Sequence, residues 1–204
     1  MSTVTKTDQP KDTRQRIRES RFGTLVVLGL TGALVMGLAY LINRPSASAS
    51  GIQAVTLSGP SKGAAPKVGT PAQEFTATDV EGQQVSLSDY QGKAVWLTFG
   101  ATWCAACQAE APDIQAAYEK YKAAGVVVLA IFISEDAATV KDYADRVGLT
   151  FPKIGDADTA IASAYRVNGI PVHFFIDRSG VLRSVVTGSM TPKRMDAAIA
   201  AVSR

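Results

Sequence analysis

Two apolar runs, "KAVWLTFGA" at 93–101 and "GVVVLAIFI" at 125–133, constrain the fold of this chain more than any other feature. Each has the length of a strand and neither alternates with polar residues, so each suits a central strand covered on both faces. Between them, over 107–124, Ile114, Tyr118 and Tyr121 recur at helical spacing. A strand, helix, strand unit of this kind crosses over right-handed into a parallel pair. A second helix is predicted over 137–147, leading to "FPKIG", and a third over 158–165, leading to "IPVHFFID". Arg178-Ser179-Gly180 then turns the chain into "VLRSVVTG" as an antiparallel partner. A closing helix over 191–202 is predicted to start with Thr191 as cap and Pro192 as first residue. Upstream, "GQQVSLSDY" alternates like a strand with one exposed face, with Glu81-Gly82 as the turn before it. The fold class is therefore α/β, a central mixed sheet flanked by helices, and residues 69–204 have the size of one globular domain.

The only two cysteines sit at the junction of the first strand and helix, in "WCAAC" at 103–107. A disulfide across two intervening residues closes almost no loop and restrains the unfolded chain very little. A closed zinc site needs four Cys or His ligands, and the chain has one histidine, His173, far away in sequence. Reversible dithiol/disulfide exchange remains, or a soft-metal site such as Cu(I) that borrows a third ligand. Cys104 falls where the strand ends and the helix begins, near unsatisfied N–H groups and the positive end of the helix dipole, which favours thiolate. Cys107, one helical turn later, is expected to be the less exposed of the two and to act as the resolving thiol.

Residues 22–42, "FGTLVVLGLTGALVMGLAYLI", carry no charge and have the length needed to cross ~30 Å of hydrocarbon as a helix. The preceding residues, 1–21, hold Lys6, Lys11, Arg14, Arg16, Arg18 and Arg21 against Asp8, Asp12 and Glu19, while the far side offers only Arg44 nearby. The positive-inside rule then places the N-terminus in the cytoplasm and everything after the span outside it. The rival reading is a cleaved signal peptide, with small residues at Ala47 and Ala49, but the apolar core exceeds the ~7 to 15 residues of a signal core. Beyond the basic tail, acidic and basic residues balance, which gives nucleic-acid binding no support. Residues 43–68 are rich in Ser, Ala, Gly and Pro and read as a tether, with a strand at "IQAVTL" left open. Outside the cytoplasm disulfides persist, so a single close-spaced pair points to chemistry.

"FGATWCAAC", Pro112 five residues after the second cysteine, "GIPVHFFID" and the final "VTGSM" together resemble the membrane-tethered, thioredoxin-like ResA/TlpA/CcmG group of AhpC/TSA-like proteins. The resemblance covers 69–204. It implies a thioredoxin fold with an added N-terminal β-hairpin and a helical insertion. It also implies an extracytoplasmic thiol-disulfide oxidoreductase of the inner membrane, a group whose members commonly reduce apocytochrome c or other membrane-associated targets. Pro171 would be the cis-proline facing the disulfide, and Ile170 before it would contact incoming substrate. Trp103, merely hydrophobic on its own, would shape the docking surface.

Three positions depart from thioredoxin or vary within the group. The buried Asp that thioredoxin carries six residues before its first cysteine is here Thr98, which cannot serve as a base. Glu110, three residues after Cys107 on the same helical face, matches an acidic residue of the ResA-like members and would take over that role; the alternative is a solvent-exposed carboxylate. His173, two residues past Pro171, would lie close to Thr98 beneath Cys107 if the two strands are neighbours. It is read either as a proton relay or as a satisfied core histidine. Gly100 stands where relatives often carry an aromatic residue. Asp113, Asp136, Asp156 and Asp158 read as solvated faces or helix caps.

Three functions follow. The first is a membrane-anchored reductase of exported protein disulfides, the haem-binding pair of apocytochrome c among them, which needs no cofactor beyond the Cys104/Cys107 pair. It would draw electrons from a transmembrane thiol carrier. The same scaffold run backwards is a disulfide-donating oxidase, and sequence does not set the direction. The third is a Sco-like Cu(I) chaperone using Cys104, Cys107 and His173, against which the two-residue cysteine spacing counts.

Overall fold

The computed structural model describes residues 21–42 and 65–204. The chain divides into two units, Met1–Ala49 and Ser50–Arg204. The basic tail before Arg21, most of the tether and the segment "IQAVTL" lie outside the described residues.

In the first unit, helix α1 (Arg21–Ile42) runs 22 residues. Leu25, Val26, Val27, Leu28, Leu30, Leu34, Val35, Met36 and Leu38 all stand exposed on it, so its apolar surface goes right round rather than forming one stripe. The Thr31 hydroxyl donates back to the Val27 carbonyl at 2.8 Å, satisfying a polar group within the helix itself. Counted on the described side chains alone, which begin at Gly23 and end at Tyr40, no helix is long and apolar enough to cross a membrane.

The second unit opens with a hairpin of β1 (Thr76–Thr78) and β2 (Gln84–Ser86), paired antiparallel. The strand expected to run on to Tyr90 stops at Ser86, and Leu87–Tyr90 winds into a 3-10 turn. Asp89 closes that turn by accepting the Ser86 N–H at 2.8 Å. Then follow β3 (Ala94–Gly100), α2 (Ala105–Tyr121), β4 (Val126–Ile133), α3 (Ala137–Val147) and β5 (Lys153–Asp156). The chain ends with α4 (Ala160–Ala164), β6 (Val172–Ile176), β7 (Leu182–Thr187) and α5 (Pro192–Val202). The main sheet has the order β5-β4-β3-β6-β7, with β3, β4 and β5 parallel and β6 and β7 antiparallel to their neighbours.

The central strands lack alternation because both faces are covered. Ala94 and Trp96 of β3 pack with Ala111 and Ile114 of α2, Tyr143 of α3 and Ile199 of α5. Val95, Leu97 and Phe99 point the other way, onto Phe75, Leu87, Ile161 and Tyr165. Burying each such side chain contributes about 1.5–3 kcal/mol. Tyr165 also donates its hydroxyl to the Gln73 carbonyl at 2.6 Å, tying the segment before the hairpin to the sheet's second face. Burial pushes the Tyr165 phenol pKa up.

A further local expectation is corrected. The third helix starts at Ala160 and ends at Ala164, because the fully buried Asp156 accepts the N–H groups of Ile161 (3.1 Å) and Ala162 (2.8 Å) and sets a later start. Burial raises the Asp156 pKa, so this carboxylate is a cap and not a solvated face. Thr191 is the N-cap of α5 and Pro192 its first residue, as the sequence suggested, although the Thr191 side chain makes no capping hydrogen bond. The Thr191 carbonyl receives the N–H groups of Arg194 and Met195.

Candidate active site

The sheet delivers the cysteines to the end of β3. Cys104 is the N-cap of α2, with extended backbone angles of φ -80 and ψ 107, and its Sγ accepts the Cys107 N–H at 3.2 Å. Cys104 and Cys107 are joined as a disulfide with Cα atoms 5.2 Å apart. When the bond is reduced, the same N–H and the helix N-terminus face the Cys104 sulfur and favour its thiolate. Exposure does not order the two thiols as expected. Cys104 is 8 % exposed and Cys107 is the more accessible, because the backbone of Cys104 is folded into the strand-to-helix turn by bonds from its N–H to Ala101 and from Gln108 to its carbonyl. What distinguishes Cys104 is its place at the helix N-terminus.

The turn before Cys104 is held by a residue that sequence reading passed over. Glu135, buried at the end of β4, accepts the Thr102 N–H at 2.8 Å and also the Thr102 hydroxyl. Trp103, between this anchor and Cys104, is 65 % exposed beside the disulfide. The signal for Glu135 was positional: it follows a central strand whose carboxyl end adjoins that of β3, where α/β sheets place their sites.

Opposite the cysteines, the Ile170–Pro171 peptide is cis. Ile170 is half-buried and Pro171 buried, and Pro171 lines one small apolar cavity together with Cys107, Glu110, Thr98 and Gly100. A Cβ on Gly100 would lie 3.4 Å from both Cβ and Sγ of Cys107, so glycine here keeps the space beside that sulfur open.

Glu110 is not a solvent-exposed carboxylate: it is 3 % exposed, and its Oε1 accepts the Met190 N–H at 2.7 Å. Thr98 and His173 are register partners on β3 and β6, with Thr98 Oγ1 3.0 Å from His173 Nδ1. His173 is fully buried, and its Nε2 faces Glu110 Oε2 at 3.4 Å. Glu110 and His173, read from sequence as separate answers to the missing Asp, thus form one pair. Trp96, whose indole Nε1 lies 3.3 Å from His173 Nδ1, completes the group and was not singled out in the sequence beyond its place in an apolar strand. Its signal was its position two residues before Thr98, on the same face of β3.

The Cu(I) ligand set of Cys104, Cys107 and His173 is not assembled. Both histidine nitrogens face other partners, and among the described residues no three Cys, His, Asp or Glu side chains group to hold a metal. Asp136 caps α3 through the Thr139 N–H at 2.8 Å, as its position suggested.

Comparison with known proteins agrees with this geometry. Residues 68–185, more than half of the chain, match the model of the AhpC/TSA family. The thiol-disulfide oxidoreductase ResA of Geobacillus kaustophilus (strain HTA426) is 40 % identical over 129 residues, covering 63 % of this chain and 74 % of that one. ResA of Bacillus subtilis (strain 168) is 36 % identical over 123 residues, covering 60 % and 69 %. Among solved structures, a thiol:disulfide interchange protein of the thioredoxin family from Chlorobium tepidum TLS aligns with a TM-score of 0.62 at 28 % identity, over 70 % of this chain and 99 % of that one. A mixed sheet flanked by helices, with a dithiol pair at the start of α2 and a cis-proline opposite, is the thioredoxin-like arrangement, and the chain belongs to the AhpC/TSA family with the ResA thiol-disulfide oxidoreductases among its relatives.

Proposed function

We propose that this protein is a membrane-anchored thiol-disulfide oxidoreductase that reduces disulfides of exported proteins, with the haem-binding cysteine pair of apocytochrome c as a candidate substrate. The observation that carries the reading is the Cys104–Cys107 disulfide at the N-terminus of α2, with the buried Glu110 lining the same cavity as Cys107. In the dithiol form, the Cys104 thiolate attacks one sulfur of the substrate disulfide, forming a mixed disulfide and releasing the other substrate sulfur as a thiolate. Cys107 then gives its proton to the Glu110 carboxylate, and the new thiolate attacks Cys104 Sγ. The Cys104–Cys107 bond forms, the bond from Cys104 to substrate breaks, and the second substrate thiolate leaves. Two electrons have passed to the substrate, and solvent protonates its thiolates. Trp103 and Ile170 offer the apolar surface on which the substrate segment docks. A transmembrane thiol carrier would return the two electrons to the oxidised pair.

The anchor is α1, which at ~1.5 Å per residue is about 33 Å long, matched to a bilayer core of ~30 Å. The basic tail before it supports a cytoplasmic N-terminus, with the dithiol domain outside. The roles of the cysteines are tested by single substitutions. Cys107→Ser should accumulate a mixed disulfide between Cys104 and a protein substrate, seen as a thiol-sensitive band, and Cys104→Ser should accumulate none. A stable adduct in the Cys104→Ser protein would reverse the assignment.

A further inference from the structure

The hydrogen bonds around His173 fix which of its nitrogens carries the proton. Trp96 and Thr98 lie on one face of β3, and both approach His173 Nδ1, at 3.3 Å from the indole Nε1 and 3.0 Å from the hydroxyl. The Trp96 and His173 rings meet edge-on, with centroids 5.7 Å apart. An indole N–H is a donor only, whereas a threonine hydroxyl can donate or accept. Nδ1 must therefore present its lone pair to Trp96 and cannot hold a hydrogen. A neutral imidazole carries one N–H, which leaves it on Nε2. That nitrogen faces Glu110 Oε2 at 3.4 Å, and neither of these two buried atoms makes a hydrogen bond in this structure, so each is the other's nearest available partner. The other carboxylate oxygen is taken by the Met190 N–H.

We infer that Trp96 locks His173 in the Nε2–H tautomer, so that His173 is a fixed donor that positions the Glu110 carboxylate for Cys107, and not a proton relay. The inference rests on Glu110 as the acceptor of the Cys107 proton and adds how that acceptor is held. A second proton on the imidazole would set an Nδ1–H against the indole N–H, so a route from Cys107 through Glu110 to His173 is closed. The Met190 N–H holds one carboxylate oxygen, the His173 Nε2–H faces the other, and each oxygen keeps a lone pair for the thiol proton. The arrangement follows the logic by which a second hydrogen bond sets the tautomer of a metal-bound or catalytic histidine, with an indole as the partner that decides.

The chain has one histidine, so the test has one signal. The full chain in detergent, labelled with ring-15N histidine and held at pH about 8, above the ordinary imidazole value of ~6.5, should show a protonated Nε2 and an unprotonated Nδ1. An Nδ1–H tautomer or an imidazolium under those conditions overturns the inference, and this measurement needs no variant to fold. A second readout is the rate at which Cys107 resolves a preformed mixed disulfide. His173→Gln keeps a side-chain N–H donor and should stay within about 3-fold of wild type, whereas His173→Leu, which has none, should slow the step by roughly 10-fold or more. Equal losses in both contradict a donor role. Glu110→Gln separates this inference from the reading beneath it: an unchanged resolving step there removes Glu110 as the proton acceptor, while the nitrogen signals still report the tautomer.

Discussion

At the scale of single residues, Gly155 shows how closely the segment between β4 and α3, which carries Glu135, is built against its neighbour. A Cβ at this position on β5 would lie 2.7 Å from the Glu135 carbonyl oxygen, 2.8 Å from the Asp136 carbonyl carbon and 2.9 Å from the Ala137 nitrogen. All three are backbone atoms at the start of α3 and cannot swing aside as a side-chain tip would. Gly155→Ala is expected to lower stability by about 1–3 kcal/mol, measured by denaturant unfolding at equilibrium. Because the Glu135 side chain holds Thr102, two residues before Cys104, the same change should alter the rate of dithiol reaction. Wild-type stability in this variant would show that the segment yields freely. Residues such as Glu135 and Gly155 were illegible in the sequence because their meaning is a contact between segments distant in the chain. Cys104 and Cys107 were legible because their chemistry depends on a local junction of strand and helix. Glu110 and His173 fall between. Each was singled out by type and position, but their facing each other across 63 residues of sequence follows from packing α2 over β6.

At the scale of elements, the turn from β6 to β7 is organised by one carboxylate. Asp177 Oδ1 accepts the Ser179 N–H at 2.9 Å and the Val181 N–H at 3.0 Å, and Arg183 pairs with Oδ2. Burial pushes its pKa upward, but bonds from the Ser179 hydroxyl, the Val181 N–H and Arg183 outweigh this and hold it at about 2. The value lies below the ~3.9 of an unfolded aspartate, so the stability it contributes is present above pH ~3.9 and is lost as pH falls towards the folded value. Asp177→Asn should therefore be less stable than wild type near neutral pH, with the gap closing between pH ~4 and about 2 in unfolding curves taken across that range. A gap independent of pH would mean that the carboxylate charge plays no part. This turn was legible as Arg178-Ser179-Gly180, as were β3, β4 and the bounds of α3, because apolar runs and helical spacing specify long elements. The short α4 was overestimated, since a buried side-chain cap and not local periodicity sets its start.

At the scale of the whole molecule, an apolar helix and a thioredoxin-like domain with a single dithiol pair share one chain. Confined by such an anchor to the outer face of a membrane, the domain would meet exported substrates and a membrane-embedded electron source in the same narrow layer. The direction of electron flow is the central claim. It is tested most directly by the reduction potential of the full chain in detergent, equilibrated in defined thiol/disulfide buffers and read by thiol alkylation. A reductase is expected near or below about -250 mV, in the range of thioredoxin; a value near about -120 mV, that of a strong oxidant such as DsbA, would contradict it and make the protein a disulfide donor.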